Sequence, residues 1–332
     1  MTIRKNRSPD LSITRRPREG KRRINNSVTR VPMTIERLQL LVDDGFGYGR
    51  GEDYTPWIRI TKGLSAKESN LVVAQTAVHK RSLHLMSILE KTAAHAAAWL
   101  GATEIREQFP LFPWAANHPM AGLDILRDRR LPEAPSLLNI ARDAQIDIGH
   151  YVGGNIPYVA TTDLVVRIGD FPNDRLVFIS CKPRAKMNDP KTGTRVRERL
   201  ELERRYAQAV GAKHVVFTGE EVCDRLKANL DWLMPHRSQV ADPALCARRR
   251  AFAEAFASTA ESKSIDQRIR AASSACETTL AEGQEDFRAA AWKGEIDVDL
   301  TQPILMSRPL IRDQKQKKTA LRVHLLGEVR CA

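Results

Sequence analysis

Apolar residues concentrate in two short runs, TTDLVVRI (161–168) and LVFISCKP (176–183). Their length and their β-branched and aromatic content predict two strands of one hairpin. Downstream, RVRERLELERRYAQAVG (195–211) switches to helical spacing, with Val196, Leu200, Ala207 and Val210 on an inner face. A buried strand, KHVVFTG (213–219), and an amphipathic helix, EVCDRLKANLDWL (221–233), come next. The order strand, strand, helix, strand, helix predicts an α/β domain.

Upstream, Met86, Leu89, Ala93, Ala96 and Leu100 recur at steps of three and four, predicting one helix over Ser82–Leu100. IREQFPLFPW (105–114) reads as an extended Pro-rich segment, and 115–160 as loops with a helical piece around Ser136–Ala144. In GFGYGRGEDYTPWIRI (45–60) the glycines alternate, unlike the GxGxxG spacing of a dinucleotide site. A flexible loop leading into a Trp-anchored strand is expected there. Beyond a break at Met234–Pro243, helices are expected near 243–259, 262–282 and 284–293, then strands at EIDVDL (295–300) and ALRVHLL (320–326). Three short helices and two strands outline a mostly α-helical, winged-helix-like C-terminal domain, a fold that serves DNA or protein partners alike.

Charge narrows the class of partner. The 332 residues hold 53 Lys plus Arg against 40 Asp plus Glu, a net charge of +13, which favours a polyanion. No apolar run approaches the roughly 20 residues that span a bilayer, so no membrane partner is expected. Residues 1–32, dense in Arg, Lys, Ser and Pro, cannot repay their ordering entropy and are expected to be a disordered basic arm. The remainder divides into 33–236 and 243–332. Five scattered cysteines without a CxxC pair suit a reducing cytoplasm and argue against a zinc ribbon.

The hairpin carries the chemistry. Asp163 opens its first strand and Lys182 closes the second, the pairing of the metal-dependent nuclease pattern PD-(D/E)xK. A carboxylate holds a hard cation on its oxygens, and a lysine is a compact charge beside phosphate. Asp and Lys bracket many hairpins, so the pair alone says little. Glu90 sits at the margin of its helix stripe and could reach a cleft or simply face solvent. Glu203 points inward among apolar residues, where a carboxylate needs a cation; a buried salt bridge with an arginine competes with a metal there. Ser180 occupies the (D/E) position, leaving the Cys181 backbone carbonyl as a ligand.

Four stretches, GRGEDYTPWI (49–58), IREQFPLFP (105–113), TTDLVV with ISCKP, and RLELERRYAQ (199–208), together resemble the TnsA family, the endonuclease subunits of heteromeric Tns-type transposons. With HLMSILE (84–90) they span about residues 49–233. The resemblance implies a restriction-endonuclease-like PD-(D/E)xK core that uses Mg²⁺, with Mn²⁺ able to substitute. Glu90, Asp163, Lys182 and Glu203 then correspond to the family's catalytic residues, and Asp163, Glu90, Glu203 and the Cys181 carbonyl to its metal ligands. It further implies cleavage of the 5′ strands at transposon ends in double-stranded DNA, beside a TnsB-type transposase and a TnsC-type AAA+ ATPase, in a bacterial cytoplasm. A non-catalytic subunit bridging transposase and ATPase is the alternative that Ser180 suggests.

Overall fold

The computed structural model describes residues 32–61, 70–152, 155–235 and 243–327. The expected basic arm, apart from Pro32, and most of the expected linker lie outside these residues. Met33–Ala332 forms one compact unit.

Its centre is a four-stranded sheet, ordered β3 (Ala102–Leu111), β4 (Ala160–Ile168), β5 (Arg175–Cys181) and β6 (Lys213–Phe217). The first three strands run antiparallel and β6 pairs in parallel with β5. The two apolar runs are therefore the expected hairpin, with Leu164 opposite Ile179 and Val166 opposite Val177. A smaller antiparallel pair, β1 (Val72–Ala74) with β2 (Leu83–Leu85), precedes the sheet in sequence.

Alternation along the strands divides the core by face. Val177, Ile179 and Cys181 of β5 join one cluster, while Leu176 and Phe178 join another. The first face is covered by α2 (Ile88–Trp99), whose residues from Thr92 to Trp99 are all buried. Its alanines let this helix lie close to the sheet. The second face is covered by α6 (Gly193–Ala209) through Leu202, Tyr206 and Ala207. Of the remaining helices, α1 (Ile35–Asp43) precedes the sheet, and α3 (Ile125–Asp128) and α4 (Leu137–Ala144) fill the β3–β4 connection. A short α5 (Arg184–Met187) leads into α6, and α7 (Asp224–Leu233) follows β6.

The chain from Pro243 on joins the first core. Phe252 of α8 (Pro243–Ser258), Ile269 of α9 (Ile265–Ala275) and Phe287 of α10 (Leu280–Lys293) lie in one apolar cluster with Val166 and Val177. Within it Asp286 is fully buried, bound through both oxygens by Arg248 at 2.9 Å and approached by Arg249 at 3.4 Å.

Several expected elements change. Ser82–Leu100 is not one helix: Leu83 and Leu85 alternate into β2, and Ser87 caps α2 by accepting from the Glu90 amide. The expected helix 262–282 stops at Ala275, and a capping box of Thr279 and Glu282 begins α10 earlier than expected. The two expected wing strands do not form. EIDVDL is irregular, and ALRVHLL ends a helix, α11 (Gln314–Leu326), whose Gln, Lys and Leu content favours that state. Nor does a strand follow GRGEDY. Trp57 is buried, but its amide donates to the Gln108 carbonyl from irregular chain.

The glycine-rich loop instead straps β3. A Cβ on Gly47 would meet Pro110 at 2.3 Å, and one on Gly49 would meet the Asp53 carbonyl at 2.3 Å, with φ +88°. Beneath it, Arg81 grips Glu107 in a fork of 2.8 and 2.9 Å, and Arg50 pairs with Glu104. These buried carboxylates are neutralised in place and belong to the scaffold. No helix among the described residues is long and apolar enough to cross a membrane.

Candidate active site

The start of β4, the end of β5 and the helices on both sheet faces meet at one end of the sheet. Asp163 and Lys182 are in direct contact there, with Lys182 Nζ donating to Asp163 Oδ2 at 2.8 Å. The same oxygen accepts from the Cys181 amide at 2.6 Å, while Nζ also reaches the Cys181 carbonyl at 3.2 Å. The Lys182 amide in turn donates to the Phe217 carbonyl of β6. The strand pairing thus fixes both the carboxylate and the ammonium in position.

Glu90 approaches from α2, buried rather than marginal. Its carboxylate accepts from the Met86 amide at 2.8 Å, the Ser87 hydroxyl at 3.0 Å and the Gln108 side-chain amide at 3.0 Å. Burial, reinforced by the charge of Asp163, pushes its pKa up to about 7. Glu203 arrives from α6 on the other face, where it accepts from the Ser180 hydroxyl. Burial and Asp163 raise its pKa as well. Among the described residues, the hydrogen-bonded partner of Glu203 is Ser180 rather than an arginine. At the position where the pattern asks for a carboxylate, Ser180 therefore presents one that the neighbouring helix supplies. The Ser180 oxygen also lies 2.8 Å from His214 Nε2, and burial lowers the His214 pKa to about 4.

Lys182 is the counterweight. Burial alone would depress its pKa, but Asp163 and Glu203 outweigh that and hold it above its ordinary value. Among the described residues, no three His, Cys, Asp or Glu side chains stand together as a ready-made metal cluster. Asp163 meets Lys182, Glu90 meets Gln108, and Glu203 meets Ser180.

Gln108 is the residue that sequence reasoning missed. It is buried, has φ +47°, and spans the site by donating to Glu90 while accepting from the Thr161 hydroxyl at 3.2 Å. A non-glycine residue in that conformation costs roughly 1–3 kcal/mol and persists only where its surroundings impose it. Its effect on the strand is visible. Ile105 and Phe109, four apart, belong to opposite core clusters, so the alternation reverses at Gln108. The QFP run within an otherwise regular segment was the only signal available.

Residues 103–219 match the model of the TnsA-like endonuclease N-terminal domain. This stretch is similar to the TnsA-like endonucleases. It contains Gln108, Asp163, Lys182 and Glu203, and Glu90 precedes it. Over 210 residues the chain is also 31% identical to the transposon Tn7 transposition protein TnsA of Escherichia coli. That similarity covers 62% of this chain and 65% of the TnsA relative, so the chain spans slightly less than two thirds of that protein.

Proposed function

We propose that the protein is a metal-dependent DNA endonuclease of a Tn7-like transposition system, hydrolysing phosphodiesters at the 5′ strand ends of a transposon. The observation that carries this reading is the 2.8 Å contact of Lys182 with Asp163, at the end of a hairpin in a TnsA-like endonuclease domain. The topology of the sheet, with an antiparallel hairpin followed by a helix and a parallel strand, supports a PD-(D/E)xK core.

The donor set suits a hard dication. Asp163, Glu90 and the Cys181 carbonyl offer only oxygen, and burial followed by the charge of Asp163 raises the pKa of both glutamates, a cost that a cation relieves. These three would hold Mg²⁺ or Mn²⁺, with Glu203 as the further carboxylate. The ion would supply Lewis acidity and lower the pKa of a bound water. Lys182 contributes positive charge beside the phosphate, which stabilises the negative charge that develops on its oxygens. Gln108 and Ser87 hold the Glu90 carboxylate in one orientation, and Ser180 does the same for Glu203. Water attacks phosphorus, the bond to the 3′ oxygen breaks, and the products carry a 5′-phosphate and a 3′-hydroxyl.

The partners would be duplex DNA at transposon ends, a TnsB-type transposase and a TnsC-type ATPase. Lys182→Ala is expected to lower strand cleavage at least 10³-fold, about 4 kcal/mol of transition-state stabilisation, in a gel assay with transposon-end DNA, partner transposase and Mg²⁺. Ser180 in place of an acid favours one other reading, a subunit that bridges its partners without cutting. Absence of cleavage by the unaltered protein with either Mg²⁺ or Mn²⁺ in the full complex would decide for it.

A further inference from the structure

We propose that α5, the loop 188–192 and the first half of α6 form the surface on which the sugar–phosphate backbone of duplex DNA lies beside the scissile bond. This rests on the endonuclease reading above. From Lys182 to Arg199 the chain carries seven Lys and Arg against two acids, Asp189 and Glu198. Both acids are engaged. Asp189 accepts from the Lys191 amide and from the amide and hydroxyl of Thr192, and Glu198 pairs with Arg195 at 3.0 Å.

The distribution of these cations opposes the helix they sit on. A helix N-terminus bears partial positive charge and favours acids. The first turn of α6 has none, and Arg195, Arg197 and Arg199 follow within two turns. Such an arrangement strains the free protein and concentrates positive potential where a polyanion could use it. Lys191, Arg195 and Arg199 are all exposed.

The surface has a fixed shape. A Cβ on Gly193 would lie 2.5 Å from the Met187 carbonyl, and Arg197 donates to that carbonyl at 2.5 Å, so α5 is clamped onto α6. It also opens on the site. Pro183, next to Lys182, starts α5, and Arg195 and Arg199 line with Glu203 a cavity of about 130 Å³. Arg199 partly offsets the burial of Glu203. A strand of DNA whose phosphate reaches Lys182 would run its neighbouring phosphates along these arginines.

The test compares the full-length chain with a Lys191→Ala, Arg195→Ala, Arg199→Ala variant, both in EDTA so that no cutting occurs. Anisotropy of a labelled duplex is followed across a salt series. The variant is expected to bind 10- to 100-fold more weakly at 0.1 M salt, with the slope of log K against log salt reduced by about 2–3, and to melt no lower than the unaltered chain. An Arg195→Lys, Arg199→Lys variant is expected to keep most of the affinity. Equal affinity and slope in the alanine variant would overturn this surface while leaving the endonuclease reading intact. Weak binding by both variants would overturn it too, since charge would then not be what acts. Failure of the unaltered chain to bind duplex at any salt would instead remove the reading on which it rests.

Discussion

Asp163 and Lys182 were legible from residue type and strand position, because strand ends that pair must bring their side chains together. Glu203 was legible as an inward carboxylate, and its partner emerged only in three dimensions as Ser180. The burial of Glu90 does not follow from the helix stripe, because it depends on the Met86 amide, the Ser87 cap and Gln108, which meet its carboxylate only in the fold. Gln108 was invisible, since a positive φ at a non-glycine residue leaves no mark on apolar spacing. Its position gives a sharp expectation. Gln108→Ala removes the bonds to Glu90 and Thr161, and should cost about 1–2 kcal/mol of stability and more than tenfold in cleavage rate. Gln108→Glu, which adds a third acid against Glu90, should cleave no better than the alanine variant. Undiminished cleavage by either would show that Glu90 needs no such support. Burial holds His79 neutral, with its pKa lowered to about 4, while its Nε2 accepts from the Ile105 amide at 2.9 Å. The folded pKa lies below the ordinary value of 6.5, so the unfolded chain binds more protons between those limits. The stability it contributes, at most about 3 kcal/mol, is present above pH 6.5 and lost as the pH falls toward 4. A melting temperature that does not fall across that window would contradict this.

At the scale of elements, the hairpin, α4, α6 and α7 follow the sequence pattern closely, because each has one clear period and a recognisable end. Strand β6 forms where expected, but as an edge strand in which only Phe217 is buried. The misassigned elements share a cause. In SLHLMSILE only Met86 and the Ser87 cap separate a strand from a helix start, so a helical stripe can be drawn through both. In ALRVHLL the apolar run is short enough to satisfy either period, and the polar residues before it decide for helix. The helices α8 and α10 depend on a buried polar contact that patterning cannot reveal. Asp286→Ala removes the buried carboxylate that Arg248 and Arg249 share, and should destabilise by about 3–5 kcal/mol in denaturant unfolding. A loss below 1 kcal/mol would mean that the arginines find other partners.

At the scale of the whole molecule, two sheet faces are covered by helices of opposite character. The Ala-rich α2 is sealed between the sheet, the β1–β2 pair and α7, whereas α6 buries one side and turns a basic side outward. The site lies where these layers end, so acids from both faces and the hairpin come within electrostatic reach of one lysine. Excess positive charge over the chain agrees with a polyanionic substrate, and the geometry gives that charge a place to act. The most direct test of the central claim is strand-specific cleavage of transposon-end DNA by the reconstituted complex in Mg²⁺, with Asp163 intact or replaced by alanine. The account requires nicks at the 5′ strand ends, bearing 5′-phosphate and 3′-hydroxyl termini, that vanish with Asp163→Ala while the variant folds and assembles. Nicks of unchanged rate and position in that variant would contradict it.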